Sequence, residues 1–367
     1  MSREFKILLS LLRQYLTREN PLPEIGEYSV NWPHLLQIAN HHRVSPLLYG
    51  ILKSDESVPT DVKQQLQRLF YGLTAKNTRS MFELTRVCAQ LEKADILSIP
   101  FKGFVFLDQL YGDIGLRPCA DMDIYIEPGQ VRPAVGQLQQ LGYSSHLLRD
   151  VPDVDVVTKF YTLELSNPHN GFLFDLHWEV TDGYVSHLYS RQELQSATRP
   201  FEFAGFTVPV FRDDITLALI VLHGAKGSWS YLSAMLDLAV FFRRFPRIDY
   251  DSVVKRMEHR GVLRMMTVGA AIVEHFFHAP VPLSIKDHID GKAKSLAMDI
   301  VNRMRSNPPA QPPTRWRKVT FNLQLRNRWT EKMRYLLFKT KPKKVDMRGG
   351  NAIAWWNRLE RILRRGQ

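Results

Sequence analysis

The stretch Asp121-Met122-Asp123-Ile124-Tyr125-Ile126-Glu127 alternates polar and apolar side chains, which is the pattern of a β-strand with one buried face. Its apolar residues are expected to enter the core. Asp121 and Asp123 then share the opposite face, ~6–7 Å apart along the strand. Two carboxylates on one face repel each other unless a cation lies between them or one takes a proton. The stretch therefore predicts a strand that carries a cation site; the alternative is a pair that is only solvated.

A second strand is predicted at residues 172–180, where every second residue is large and apolar. Its other face carries Asp175 and His177. If the two strands are neighbours, Asp175 completes a cluster of three carboxylates with Asp121 and Asp123. Such a cluster can hold two metal ions ~3.5–4 Å apart, which clamp the attacking and leaving oxygens of a phosphoryl displacement. A hard cation such as Mg²⁺ suits these oxygen ligands.

The surrounding chain divides into four regions. Residues 1–95 are predicted to be helical, 96–212 to form a mixed α/β core, 213–306 to be helical, and 307–367 to form a basic tail that begins with a Pro-rich linker at 307–313. Within the core we predict strands at 96–101 and 121–127, helices at 104–111 and 128–141, and hairpins that pair 161–165 with 172–180 and 201–203 with 207–210. The pattern indicates an α+β fold.

A turn at Lys102-Gly103 precedes the predicted helix 104–111, and a helix N-terminus with Gly before it is a ready phosphate site. Lys102 would neutralise triphosphate charge there, unless it is only a solvated lysine beside a turn. Arg117 would clamp phosphate through its planar guanidinium, or else form a salt bridge within its loop. His177 would orient Asp175 or a metal-bound water, or else be a hydrogen-bonded strand residue.

Cysteine use and hydropathy favour a cytoplasmic protein. Cys88 and Cys119 are its two cysteines and form no CxxC pair, which argues against a disulfide framework or a zinc site. No apolar run approaches the ~18–20 residues that would span a bilayer. Residues 1–16 have charges within their apolar stretch and no small-residue cleavage site, so they predict an amphipathic helix rather than a signal peptide.

The positive charge lies at the C-terminal end. The net charge is +12, but residues 301–367 carry 18 Lys/Arg and 3 Asp/Glu, against 31 and 34 in residues 1–300. Residues 351–367 predict a basic amphipathic helix with Trp355 and Trp356 on its apolar face, and residues 326–337 repeat the pattern. Such helices suit an anionic membrane surface, which would place the protein at the inner face of the membrane. The alternatives are a helix packed on the protein's own core and an RNA-binding arm.

Short motifs follow one another in a fixed order over about residues 30–245. They are Phe101-Lys102-Gly103, Leu110-Tyr111, Leu116-Arg117-Pro118, Asp121-Met122-Asp123-Ile124, Asp175-Leu176-His177-Trp178, His223-Gly224-Ala225, Trp229 and Leu236-Asp237-Leu238-Ala239. This set resembles the uncharacterised nucleotidyltransferases of the polymerase-β-like superfamily. The ordered set is far more specific than any one motif.

The resemblance implies a fold, a reaction and site residues. The core would be a small mixed sheet flanked by N- and C-terminal helical regions. Asp121, Asp123 and Asp175 would be catalytic and would bind Mg²⁺ or Mn²⁺. The reaction would move a nucleoside monophosphate from an NTP such as ATP to an acceptor, with pyrophosphate leaving. The wider superfamily usually has Gly-Ser at the phosphate turn, whereas its own subfamily typically shows Lys-Gly, as at Lys102-Gly103.

The sequence leaves the acceptor open. One hypothesis is a small acceptor, such as a sugar phosphate or a lipid-linked precursor. Another is RNA or a protein, with the basic tail as the recruiting arm. A third is a nucleotide-binding or scaffold protein without activity, but a scaffold has no need for Asp121, Asp123 and Asp175 together, so their presence speaks against it.

Overall fold

The computed structural model describes residues 2–17, 30–119, 121–150, 155–181, 185, 188–203, 205–306 and 314–340. Its strands are β1 Ser98–Phe101, β2 Met122–Ile126, β3 Thr162–Ser166, β4 Leu173–His177, β5 Thr198–Phe203 and β6 Phe206–Phe211. Its helices are α1 Arg3–Thr17, α2 Trp32–His41, α3 Ser45–Leu52, α4 Thr60–Glu92, α5 Gly103–Phe106, α6 Val131–Gln140, α7 His146–Asp150, α8 Val156–Lys159, α9 Arg191–Ser196, α10 Asp213–Lys226, α11 Leu232–Arg244, α12 Tyr250–His259, α13 Leu263–Phe277, α14 Leu283–Lys286, α15 Gly291–Ser306, α16 Arg315–Gln324 and α17 Trp329–Thr340.

Four strands form a small mixed sheet in the order β1-β2-β4-β3. β2 pairs with β1 antiparallel and with β4 parallel, and β3 pairs with β4 antiparallel. The apolar residues of β2 are buried as predicted, with Ile124 and Ile126 fully inaccessible to solvent. Helices precede and follow this sheet in the chain, so the predicted α+β fold with a small mixed sheet is confirmed.

The predicted hairpin between β3 and β4 forms because the turn between them satisfies its own backbone. Asn167 Oδ1 accepts a hydrogen bond from the His169 backbone N–H, and Asn170 Oδ1 accepts one from the Phe172 N–H. Gly171 has φ 74°, a left-handed conformation that glycine adopts without strain. β4 ends at His177, however, so the strand is shorter than the predicted 172–180.

The second hairpin, β5–β6, covers one end of the sheet face that carries Asp123. Phe211 at the end of β6 packs against Phe101 and Tyr125, with ring centroids 5.7 and 5.8 Å away. Tyr125 is consequently only 1% exposed, although it lies on the polar side of the β2 pattern. The hairpin thus covers Tyr125, whereas Asp123 on the same face lies next to the polar residues His177 and Lys102.

The chain forms two compact units, each built from separate stretches of sequence. Among the described residues, one unit contains those within 80–103, 121–211 and 328–340 and includes both sheets. The other contains those within 2–79, 104–119 and 212–327 and is helical. The four regions predicted from the sequence are continuous stretches of chain, whereas these two units are defined by contacts. The four-region division therefore stays a prediction.

Trp229 lies in the core of the helical unit and is fully buried. Its ring lies against two helical glycines, Gly224 on α10 and Gly269 on α13, where an added Cβ would lie 2.3 and 2.5 Å from ring atoms. Both helices can approach the indole only because these positions lack side chains. The motif residues Gly224 and Trp229 therefore have a packing role.

Within the residues that the structure describes, no helix is both long and apolar enough to cross a bilayer. The linker predicted at 307–313 and the amphipathic helix predicted at 351–367 lie outside the described residues.

Candidate active site

The parallel pairing of β2 with β4 brings two predicted carboxylates together. Asp123 and Asp175 are register partners, so they share one face on strands whose typical spacing is ~4.8 Å. His177 follows two residues later on the same face of β4. One ligand atom from each of Asp123, Asp175 and His177 lies within 4.8 Å of the others. The donor set of two carboxylates and an imidazole fits a divalent cation.

His177 is fixed against Asp123. Its Nε2 lies 2.6 Å from Asp123 Oδ1, and its ring packs against the Phe101 ring in a T-shaped arrangement with centroids 5.0 Å apart. The side chain is almost completely buried. This burial lowers the pKa of His177 and outweighs the opposite effect of the hydrogen bond with Asp123, while Lys102 lowers the pKa further. A lowered pKa favours the neutral imidazole, which is the form that can ligate a metal.

Lys102 lies beside the same carboxylate. Its Nζ is 3.6 Å from Asp123 Oδ1 and 4.5 Å from the centroid of the Phe101 ring. Lys102 and Gly103 both have positive φ, 59° and 39°, which turns the chain sharply at the end of β1. Because Phe101 is the register partner of Asp123, this turn begins next to β2. Lys102 is therefore part of the acidic cluster and not simply a solvated lysine.

Asp121 lies immediately before β2 and is exposed. Its pKa is raised, first by partial desolvation and then by the negative charges of Asp123, Asp175 and Glu164. Asp121 is thus within the electrostatic field of the cluster. Among the described residues, the three whose ligand atoms lie close together are Asp123, Asp175 and His177. His177 thus stands where the sequence predicted Asp121. Metal ligation by Asp121 stays a prediction.

Glu164 is a residue of this face that the sequence reading missed. It is the register partner of Asp175 in the antiparallel β3–β4 pair, so the two side chains share a face. It is exposed, and its charge contributes to the raised pKa of Asp121. Counting residues outward from the predicted turn at Asn167–Gly171 would align Glu164 with Phe174. The observed register is shifted by one residue, because the Asn167 backbone N–H donates to the Phe172 carbonyl oxygen.

Arg117 forms a buried ion pair. Its Nη2 donates to Asp237 Oδ2 at 2.7 Å, and the Tyr111 hydroxyl donates to Asp237 Oδ1, also at 2.7 Å. Burial alone would lower the pKa of Arg117, but Asp237 and Tyr111 together raise it. The salt-bridge alternative from the sequence thus matches an observed contact, although its partner lies on α11 and not in the same loop. Phosphate binding by Arg117 stays a prediction.

A family model described as an uncharacterised nucleotidyltransferase matches residues 28–278. The solved structure of the antibiotic-resistance factor ANT(2'')-Ia is 12% identical and aligns over 55% of this chain and 99% of its own, with a TM-score of 0.36. An antigenic nucleotidyltransferase-like protein from Paracoccidioides brasiliensis is 15% identical over 58% and 97% of the two chains, with a TM-score of 0.32. Similarities at this level carry no further argument, and no curated protein matches the chain.

The family match includes all six strands and the residues of the Asp123 cluster. It also spans more than half of the chain, from before α2 to the end of α13. The protein therefore belongs to this family of uncharacterised nucleotidyltransferases.

Proposed function

We propose that this nucleotidyltransferase uses Mg²⁺ or Mn²⁺ at the Asp123 cluster to move a nucleoside monophosphate from an NTP to an acceptor. The observation that carries the proposal is the convergence of ligand atoms from Asp123, Asp175 and His177 within 4.8 Å at the β2–β4 pair. A divalent cation held there would neutralise phosphate charge and stabilise the leaving pyrophosphate. An acceptor oxygen bonds to the α-phosphorus, the α–β phosphoanhydride bond breaks, and the acceptor proton passes to a carboxylate of this face. Asp121, immediately before β2, is proposed to join the cluster as a further ligand.

The Lys102-Gly103 turn is proposed to hold the triphosphate. The ammonium of Lys102 is a positive charge that already lies at the cluster, 3.6 Å from Asp123 Oδ1. If Asp123 held a divalent cation, like-charge repulsion would favour pairing of the Lys102 ammonium with the phosphates instead. The Lys102→Ala variant should weaken NTP binding without unfolding the protein.

The Gly103→Val variant should weaken NTP binding more, because a β-branched residue does not adopt the positive φ of 39° found there. NTP titrations followed by calorimetry measure both effects. Normal NTP affinity in both folded variants would make the turn structural only.

The proposed acceptor is a small molecule such as a sugar phosphate, or a lipid-linked precursor at the cytoplasmic face of the membrane. A surface feature supports the second form: α17 exposes Trp329 (71%) and Leu337 (60%). Lys332 and Lys339 lie on the same helix, so it is both basic and apolar at the surface, as suits anionic lipid. Arg326 does not belong to this surface, since it is fully buried.

Flotation with anionic and neutral liposomes tests the membrane proposal. Full-length protein should float with anionic liposomes only, and salt should weaken the binding. A chain that ends near Gln311 should lose it. If the full-length protein instead ignores liposomes and retards RNA with a steep salt dependence, the RNA-recruiting alternative is favoured.

A mass shift of one nucleotide on an acceptor tests the reaction. The protein is incubated with each NTP, Mg²⁺ and candidate acceptors, and products are identified by mass spectrometry together with released pyrophosphate. The Asp123→Asn and Asp175→Asn variants should abolish the transfer, whereas Asp61→Asn, at an exposed position on α4, should not. Undiminished transfer by the Asp123→Asn variant would rule out this site.

A further inference from the structure

The ligand atoms of Asp123, Asp175 and His177 are near enough to one another to surround one small cation. In an octahedral site with bonds of ~2.1 Å, adjacent ligand atoms are ~3 Å apart and opposite ones ~4.2 Å apart. His177 Nε2 and Asp123 Oδ1 are 2.6 Å apart, and the set including Asp175 lies within 4.8 Å. The first distance is slightly shorter than the adjacent spacing, and the limit for the set is slightly longer than the opposite spacing.

The imidazole has little freedom to turn away from this position. His177 is 8% exposed, and the Phe101 ring packs against it at an interplanar angle of 80°. Its Nε2 faces Asp123 Oδ1 at hydrogen-bonding distance. With the ring proton on Nδ1, the Nε2 lone pair would face a cation that Asp123 also binds. The atom that contacts the carboxylate in the structure is thus the atom placed to ligate.

We propose that His177 is a direct metal ligand beside the carboxylates of the Asp123 cluster, so that the site discriminates in favour of Mn²⁺ over Mg²⁺. Imidazole nitrogen is a good ligand for transition metals, whereas Mg²⁺ is bound almost entirely through oxygen. A site made of carboxylates alone would bind Mn²⁺ and Mg²⁺ mainly through their equal charges, and would therefore discriminate less between them. The inference uses the same cluster as the proposed function, but metal binding is measured without any transfer reaction.

Pulsed electron paramagnetic resonance of Mn²⁺ bound to the full-length protein detects the nitrogen directly. The wild type should show the ¹⁴N coupling of a ligated imidazole. The His146→Gln variant should show the same coupling, because His146 is exposed on α7 and contacts Arg149 and not the cluster. The His177→Gln variant should lose it, and its Mn²⁺ affinity by calorimetry should fall by about tenfold or more.

A second variant, His177→Asp, supplies an oxygen ligand at the same position. It should lose the ¹⁴N coupling, retain Mg²⁺ binding, and lower the ratio of Mn²⁺ to Mg²⁺ affinity by about tenfold relative to wild type. Circular dichroism verifies the fold of each variant.

Coupling that persists in folded His177→Gln, or wild-type protein that binds Mn²⁺ without ¹⁴N coupling, would overturn the assignment. Nitrogen-coupled Mn²⁺ binding without nucleotide transfer would uphold the ligand and refute the proposed function. Metal-dependent transfer without nitrogen coupling would refute His177 as a ligand and leave the proposed function standing.

Discussion

Replacing Asp237 by Asn is expected to lower the free energy of unfolding by about 3–5 kcal/mol, because it leaves a buried guanidinium without its counter-charge. Arg117 and Asp237 side chains are only 17% and 4% exposed, and their closest atoms are 2.7 Å apart. Arg117 Nε is itself buried without a hydrogen-bond partner among the residues described, so solvent cannot compensate for the lost carboxylate. The Asn amide oxygen can still accept from Tyr111, which keeps the loss from being larger.

The double variant Arg117→Met/Asp237→Leu should recover much of this loss, since it removes both charges together and fills the space with apolar groups. Urea unfolding followed by circular dichroism gives the free energies, and the two single variants complete the cycle. A loss below about 1 kcal/mol for Asp237→Asn would contradict the buried-pair account. NTP affinity of the folded double variant separates the two roles of Arg117: an unchanged affinity means that Arg117 is structural, and a lost affinity means that it binds phosphate.

Two further predictions concern the helical unit. His42 is fully buried, and its pKa is lowered to about 3, first by burial and then by the charge of His41. The unfolded chain takes up a proton at this residue near pH 6.5, whereas the folded protein does not. The free energy of unfolding should therefore fall by up to ~1.4 kcal/mol per pH unit between pH 6 and pH 3. Denaturant titrations across this range should show a shallower slope for His42→Gln, and equal slopes would refute the assignment. Gly224→Ala would place a Cβ 2.3 Å from the Trp229 ring, and it should lower the stability of the protein in thermal unfolding by roughly 1–3 kcal/mol. The control Gly72→Ala places a Cβ where nothing lies within 4 Å, so it should leave the stability unchanged or raise it.

The strands and their buried faces could be predicted from the sequence because their signals are local. The alternation around Asp123 and the turn at Asn167–Gly171 each depend on neighbours in the chain, and the structure has β2 and the β3–β4 hairpin at those places. The motif order also predicted the family. What this local pattern cannot give is which strands pair and in which register.

The composition of the site depends on that register. His177 reaches Asp123 because β2 and β4 run parallel with Asp123 opposite Asp175, an arrangement between residues more than fifty positions apart. Asp121 was expected in the cluster from its spacing within one strand; it lies one residue before β2, which begins at Met122, and its ligand role stays a prediction. The partner of Arg117 is 120 positions away on α11, beyond the reach of any local pattern.

Calorimetric titration of Mn²⁺ into the wild type and into the Asp123→Asn/Asp175→Asn variant tests the central claim most directly. The ligand atoms of Asp123, Asp175 and His177 lie within 4.8 Å of one another, so the wild type should bind Mn²⁺ at millimolar concentration or more tightly. Asp61→Asn, which removes a carboxylate from an exposed position on α4, should bind as the wild type does. The double variant, folded by circular dichroism, should give no binding heat above dilution. Equal heats from the wild type and the double variant would contradict the account.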